Sequence, residues 1–126
     1  GLEGDERRML DQTMTKLRSL VERTGIALFL VSHLKRNSQD KNHEEGARVT
    51  LGQLRGSASI AQLSDAVIGL ERDQQSGSKN SGTTVRILKN RHCGSLGVAS
   101  LLTYDLETCA FTEHEPNKEF NPSTDF

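Results

Sequence analysis

Several polar residues follow apolar runs, where a folded chain can present them to a ligand. His33 stands in Val31-Ser32-His33-Leu34-Lys35, just beyond six apolar residues. Ligands of open α/β sheets bind beyond the C-terminal ends of strands, and an imidazole N–H placed there can donate to a phosphate. In Gln53-Leu54-Arg55-Gly56-Ser57, Arg55 supplies a fork of donors and Gly56 permits close backbone approach. Ser57 can cap a following helix, whose N-terminus favours anions. Lys35, Arg36, Lys41 and Arg48 lie near in sequence, so this region can grip a nucleic-acid backbone, although Asp40, Glu44 and Glu45 dilute its charge. Aromatic residues are sparse here, so contact would be to phosphate rather than by base stacking. Arg91 follows Val85-Arg86-Ile87-Leu88-Lys89-Asn90 at a strand end beside a flexible turn, where it could reach a neighbouring subunit and stabilise phosphoryl-transfer charge. Arg72 and Tyr104 end two further runs and could stack on a base. Read singly, these positions are equally a strand-capping histidine, a solvated loop, a surface arginine and a tyrosine at a sheet margin.

Other chemistries fit less well. His33, His43, His92, Cys93 and His114 include no pair with zinc-ligand spacing on one element. No nucleophile elbow supports a Ser–His–Asp hydrolase. No GxxxxGK[ST] loop occurs in the 126 residues. Cys93 and Cys109 read as free thiols.

The elements that must position these residues follow from periodicity. Leu10, Met14, Leu17 and Val21 recur as the stripe of an amphipathic helix, with Asp5 and Glu6 near its start, Arg23 in its last turn and Gly25 as its stop. Residues 26–31 are apolar without alternation, as in a strand buried on both faces of a parallel sheet. Residues 36–52 are a long polar stretch, residues 57–64 a short helix, and residues 66–70 a second buried strand. Residues 73–82 read as a mobile loop, 83–89 and 98–104 as strands joined by a turn, and 110–112 as a short edge strand. From Glu113 the chain is acidic, carries Pro116 and Pro122, and reads as a disordered tail.

Size allows one domain with a modest core, and 33% hydrophobic and 4% aromatic residues are lean for a self-sufficient one. The net charge of -1 excludes a global field that attracts nucleic acid. The tail holds four acids against one lysine, and the remainder is slightly basic. No apolar run approaches the ~20 residues that span a bilayer, so no membrane partner is expected. The opening on Gly1 and a charged stretch suggests an excised or processed piece.

Taken in order, DERRMLDQTMTKLRSL, LFLVSHLKR, HEEG, LRGSASIAQLSDAVIGLER, VRILKNRHCGSLGVASLLTYD and the terminal STDF resemble the bifunctional primase/helicases of T-odd podoviruses, a branch of the DnaB-like hexameric helicases. The resemblance covers nearly the whole chain. It implies an α/β fold, the C-terminal portion of a RecA-like (P-loop NTPase) core with a largely parallel sheet and a C-terminal hairpin. Residues 1–112 would belong to that core and 113–126 to a disordered acidic tail. It also implies that His33 senses the terminal phosphate of the nucleotide. Lys35, Arg36, Lys41, Arg55 and Gly56 would lie in the channel loop that holds single-stranded DNA, and Gln62 would couple the two sites. Arg72 and Tyr104 would flank the nucleotide base, and Arg91 would be the arginine finger reaching the next subunit of a homohexamer. Asp125 and Phe126 would belong to a segment docking on DNA polymerase.

The sequence departs from that pattern at His92, where relatives carry an aromatic residue, and at Gln39, where they carry a lysine. The Walker A loop and Walker B strand would precede Gly1, with NTP and Mg2+ held there and no cofactor held by these residues alone. The parent would be an NTP-dependent helicase working in the cytoplasm of a bacterial host. A truncated, non-enzymatic module that binds polymerase through the tail is the alternative. A recombinase or clock-type ATPase of the same superfamily agrees less well with the LRGS loop and terminal Phe126.

Phosphoryl transfer relies on a phosphate-cradling loop and magnesium. The purified 126-residue chain is therefore expected to show no metal-dependent NTP hydrolysis in a phosphate-release assay. Hydrolysis lost on His33→Ala would contradict this reading.

Overall fold

The computed structural model describes residues 2–34, 48–54, 58–72 and 82–114. The chain forms two compact units, residues 1–35 with 52–64, and residues 36–51 with 65–126.

The first unit is built on α1 (Leu2–Thr24), which begins before Asp5. The stripe Leu10, Met14, Leu17 and Val21 is its shielded face, with Met14 buried. Arg23 lies in the last turn, and Arg18 pairs with Glu22 at 3.1 Å on the exposed side. Gly25 ends the helix at φ 69°, a left-handed conformation in which its N–H reaches the Val21 carbonyl at 2.8 Å. The short α2 (Ser59–Leu63) packs on α1 and buries Ile60. Its N-cap is Ala58, with no side-chain cap bond, and the expected cap Ser57 lies outside the described residues.

Residues 26–31 do not form the expected buried strand. They have no ladder partner among the described residues, and Phe29 and Val31 are 90% and 92% exposed. A parallel strand needs a neighbour delivered by a crossover of about a dozen residues or more. The described part of this unit supplies only an isolated bridge between Leu34 and Leu54.

The second unit is a four-stranded sheet of β1 (Ala66–Arg72), β2 (Thr83–Asn90), β3 (Gly97–Asp105) and β4 (Ala110–His114) in sequence order. Every pairing is antiparallel, which corrects the expectation of a largely parallel sheet. Chain length explains the result. The links after β1, β2 and β3 are short, and short links make hairpins rather than parallel crossovers. The expected C-terminal hairpin is present as part of this meander. β4 also extends past the expected edge strand: Leu102 pairs with Glu113, and the buried Ser100 hydroxyl donates to Glu113 at 2.8 Å. Glu113 and His114 therefore belong to the sheet, and residues 115–126 lie outside the described residues.

One face of the β1–β2 hairpin is closed by residues 48–50. Val49 is 2% exposed and rests over Gly69, where an added Cβ would lie 3.1 Å from the valine Cγ1. The Val49 N–H donates to Glu71 Oε2 at 2.9 Å. Arg86, on the neighbouring strand, grips the same carboxylate through Nε at 2.8 Å and Nη2 at 3.1 Å. Its Nη1 is buried without a hydrogen-bond partner among the described residues.

The β3–β4 turn is held by Asp105, whose Oδ1 accepts from the N–H groups of Glu107 (2.8 Å) and Thr108 (3.5 Å). These bonds hold the carboxyl below its ordinary pKa.

Breaking a buried ion pair by removing one partner is strongly destabilising. Glu71→Ala is thus expected to lower unfolding free energy by about 3–5 kcal/mol. Glu71→Leu combined with Arg86→Met is expected to restore most of the loss, read by urea denaturation. The depressed Asp105 pKa gives a second expectation. Its contribution is present above the unfolded carboxylate value of about 3.9 and is lost as pH falls through the lower folded value. The protection of the Glu107 and Thr108 amides, relative to their intrinsic exchange rates, should fall in that acid window, and Asp105→Asn should abolish that fall.

Candidate nucleotide-contact surface

The sheet register distributes the sequence-selected residues of the second unit. Directly opposed residues of an antiparallel pair project to one face, as do alternate residues along a strand. Arg72 opposes Thr83, and Thr83 opposes Leu102, two positions before Tyr104. Arg72 and Tyr104 therefore share one face at one end of the sheet, with Thr83 and Leu102 between them. They stand two strands apart, about 9.5 Å laterally at ordinary spacing. A planar ring entering between them would meet a guanidinium on one side and a phenol on the other.

Tyr104 opposes Phe111, and their rings meet at 5.1 Å between centroids with a 57° tilt. Such a tilted pair is a favourable aromatic arrangement and restrains the tyrosine ring. Hydrogen bonding with Cys109, then burial, pushes the phenol above its usual pKa, so it stays neutral at physiological pH. Cys109 itself takes φ 56°, an uncommon conformation for a residue with a side chain, and closes the turn between β3 and β4.

Arg91 follows β2 and lies at the opposite end of the same hairpin. β1 has seven residues, so its length separates Arg91 from Arg72 by about 20 Å. The turn carrying Arg91 is organised by Asn90, whose Oδ1 accepts from the His92 and Cys93 N–H groups at 3.2 and 3.4 Å. Gly94 completes it at φ 71°, donating to the Asn90 carbonyl at 2.8 Å. The Arg91 N–H donates to the Asp65 carbonyl at 2.8 Å, and its Nη1 donates to the Asp65 carboxylate at 2.9 Å. Hydrogen bonds from Ser95 and Asn90 lower the pKa of the exposed Cys93 thiol.

In the first unit, His33 is exposed and follows residues 26–31, which carry no regular secondary structure. Gln62 is exposed on α2, and its N–H bonds the Ala58 carbonyl at 3.1 Å. Lys35, Arg36, Lys41, Arg55, Gly56, Asp125 and Phe126 lie outside the described residues. No group of three His, Cys, Asp or Glu residues among the described ones could hold a metal ion. No described helix is long and apolar enough to cross a membrane.

Sequence reasoning did not select Asp65 or Phe111. The Asn90-to-Gly94 spacing is a readable turn signal, but nothing local marks Asp65 as the partner of a residue 26 positions later. Phe111 was legible only as part of an edge strand.

Comparison with known proteins identifies the family. The DnaB-like helicase C terminal domain family matches residues 3–113. The DNA helicase/primase of Enterobacteria phage T3 is 45% identical over 106 residues, covering 84% of this chain and 19% of that relative. The chain thus spans about a fifth of the relative's length. A match over most of the chain, joined to the α/β architecture, places this protein in the DnaB-like helicase C-terminal domain family.

Proposed function

We propose that the chain serves a replicative DNA helicase that couples NTP hydrolysis to translocation on single-stranded DNA and duplex unwinding. The supporting observation is the division of one sheet into two remote ends. Arg72 and Tyr104 share a face at one end, while Arg91 occupies the other. One subunit so built serves two nucleotides: it flanks the base of its own and offers Arg91 to its neighbour's. A closed ring, here a homohexamer, gives every arginine such a neighbour.

Tyr104 offers a neutral ring to the base, and Arg72 presents a planar cation that stacks on aromatic faces. Arg91 stabilises negative charge as the terminal phosphoryl group transfers. His33 senses that phosphate, and Gln62 relays its state toward the DNA loop. Lys35, Arg36, Lys41 and Arg55 hold the single strand through its phosphates, and Gly56 allows backbone approach. Contacts of that kind are independent of base sequence and weaken with salt. Mg2+ and the phosphate-cradling loop belong to parts of the helicase outside these residues. The acidic tail, with Asp125 and Phe126, docks on DNA polymerase. The work takes place in the cytoplasm of a bacterial host infected by a phage.

In the full-length helicase, Arg91→Ala is expected to spare ring assembly and lower kcat by about 10³–10⁵, the range for an arginine finger. Mixing that variant with a subunit whose own phosphate loop is disabled should partly restore hydrolysis, because mixed interfaces reunite an intact pocket with an intact arginine. Steady-state NTPase assays of mixed rings read the outcome. Absence of rescue at every mixing ratio would show that Arg91 acts within its own subunit.

A further inference from the structure

We propose that Asp65 is a positioning residue for Arg91, which orients the guanidinium toward the neighbouring subunit's nucleotide. The inference rests on the reading of Arg91 as a residue acting in trans. Asp65 directly precedes β1, and Arg91 directly follows β2. Antiparallel pairing brings these two positions together at one end of the hairpin, with Ala66 opposite Asn90. Two bonds join them. The Arg91 N–H donates to the Asp65 carbonyl at 2.8 Å, which fixes the main chain of the turn. The Arg91 Nη1 donates to the Asp65 carboxylate at 2.9 Å, which fixes the direction of the side chain. The arginine and aspartate side chains are 43% and 40% exposed, so the guanidinium is held and still reachable from outside.

A long arginine side chain loses rotamer freedom when it engages a phosphate, and prior orientation removes part of that loss from the reaction barrier. The same exposure argues for orientation rather than sequestration. A half-exposed ion pair is weak, and one screened carboxylate competes poorly with a polyanionic phosphate chain. Asp65 therefore steers Arg91 without withholding it.

The test uses the full-length helicase. Because the bond from the Arg91 N–H to the Asp65 carbonyl is main chain, replacing the aspartate side chain isolates the carboxylate. Asp65→Ala is expected to lower kcat by about 10-fold, within the up to ~10²-fold loss that a misplaced catalytic group produces. KM for NTP should stay within about 2-fold, because the base-flanking end is untouched. Asp65→Asn, which keeps an acceptor for Nη1, should fall between. In an Arg91→Ala background, Asp65→Ala should add nothing, since its effect passes through the arginine. Mixed rings of Asp65→Ala with a phosphate-loop-disabled subunit should recover hydrolysis. Equal losses with and without Arg91 would overturn the assignment, as would a rise in kcat on Asp65→Ala. If Arg91→Ala itself left kcat unchanged, the reading of Arg91 in trans would fail as well. A large Arg91 effect with an additive Asp65 effect would overturn the Asp65 assignment alone.

Discussion

The Glu71 carboxylate, buried between two strands and a crossing segment, fixes the geometry on which the sheet depends. It accepts two bonds from Arg86 on β2 and one from the Val49 main chain. A charge placed there without partners would be strongly unfavourable, so the hairpin is held in the register that brings the partners together. Register matters because side chains alternate between faces. A slip of one residue would move Arg72 to the face closed by Val49. The bulges at Val67/Ile68 and Val85/Arg86 absorb the irregularity, leaving the run from Leu70 to Arg72 in step with Thr83 to Val85.

From that register the functional layout follows. The two ends of an antiparallel hairpin are separated by the length of its strands, whatever their sequence. On the proposed reading, groups that flank a base at one end and an arginine directed at phosphate at the other let one subunit serve both its own nucleotide and its neighbour's. Each end is then stiffened locally. The aromatic pair of Tyr104 and Phe111 flanks a turn closed by Asp105 and Cys109. Arg91 sits on a turn closed by Asn90 and Gly94 and is tied to Asp65. Both turns use side-chain acceptors for main-chain N–H groups, which hold short loops without a large core.

Much of this was legible in the sequence where the signal is local. The four-residue stripe and Gly25 specified α1, because helix periodicity and a left-handed stop both act within a few turns. Arg72, Arg91 and Tyr104 were readable as residues at strand ends. The sheet's direction was not. Continuous apolar runs such as Ala66 to Leu70 satisfy a strand covered on both faces, and pattern alone does not say which partner does the covering. Here exposed Ile68 and Leu70 share a strand with buried Gly69 and Glu71, so the run is one-sided after all. Residues 26–31 show the reverse case. Their composition suits a buried strand, but a parallel strand's partners are distant in sequence. Glu113 and His114 were assigned to the tail on charge, and pairing with β3 overrides composition there. Asp65 was invisible because its role depends on a contact 26 residues away.

In the proposed ring, one subunit addresses two nucleotides from the two ends of one sheet. The most direct measurement of this is the structure of the assembled full-length ring with a non-hydrolysable NTP bound. Arg72 and Tyr104 are expected on either side of one base, and Arg91 of the same subunit at the phosphates of the nucleotide held next door. Arg72, Tyr104 and Arg91 of one subunit gathered around a single nucleotide would contradict this arrangement.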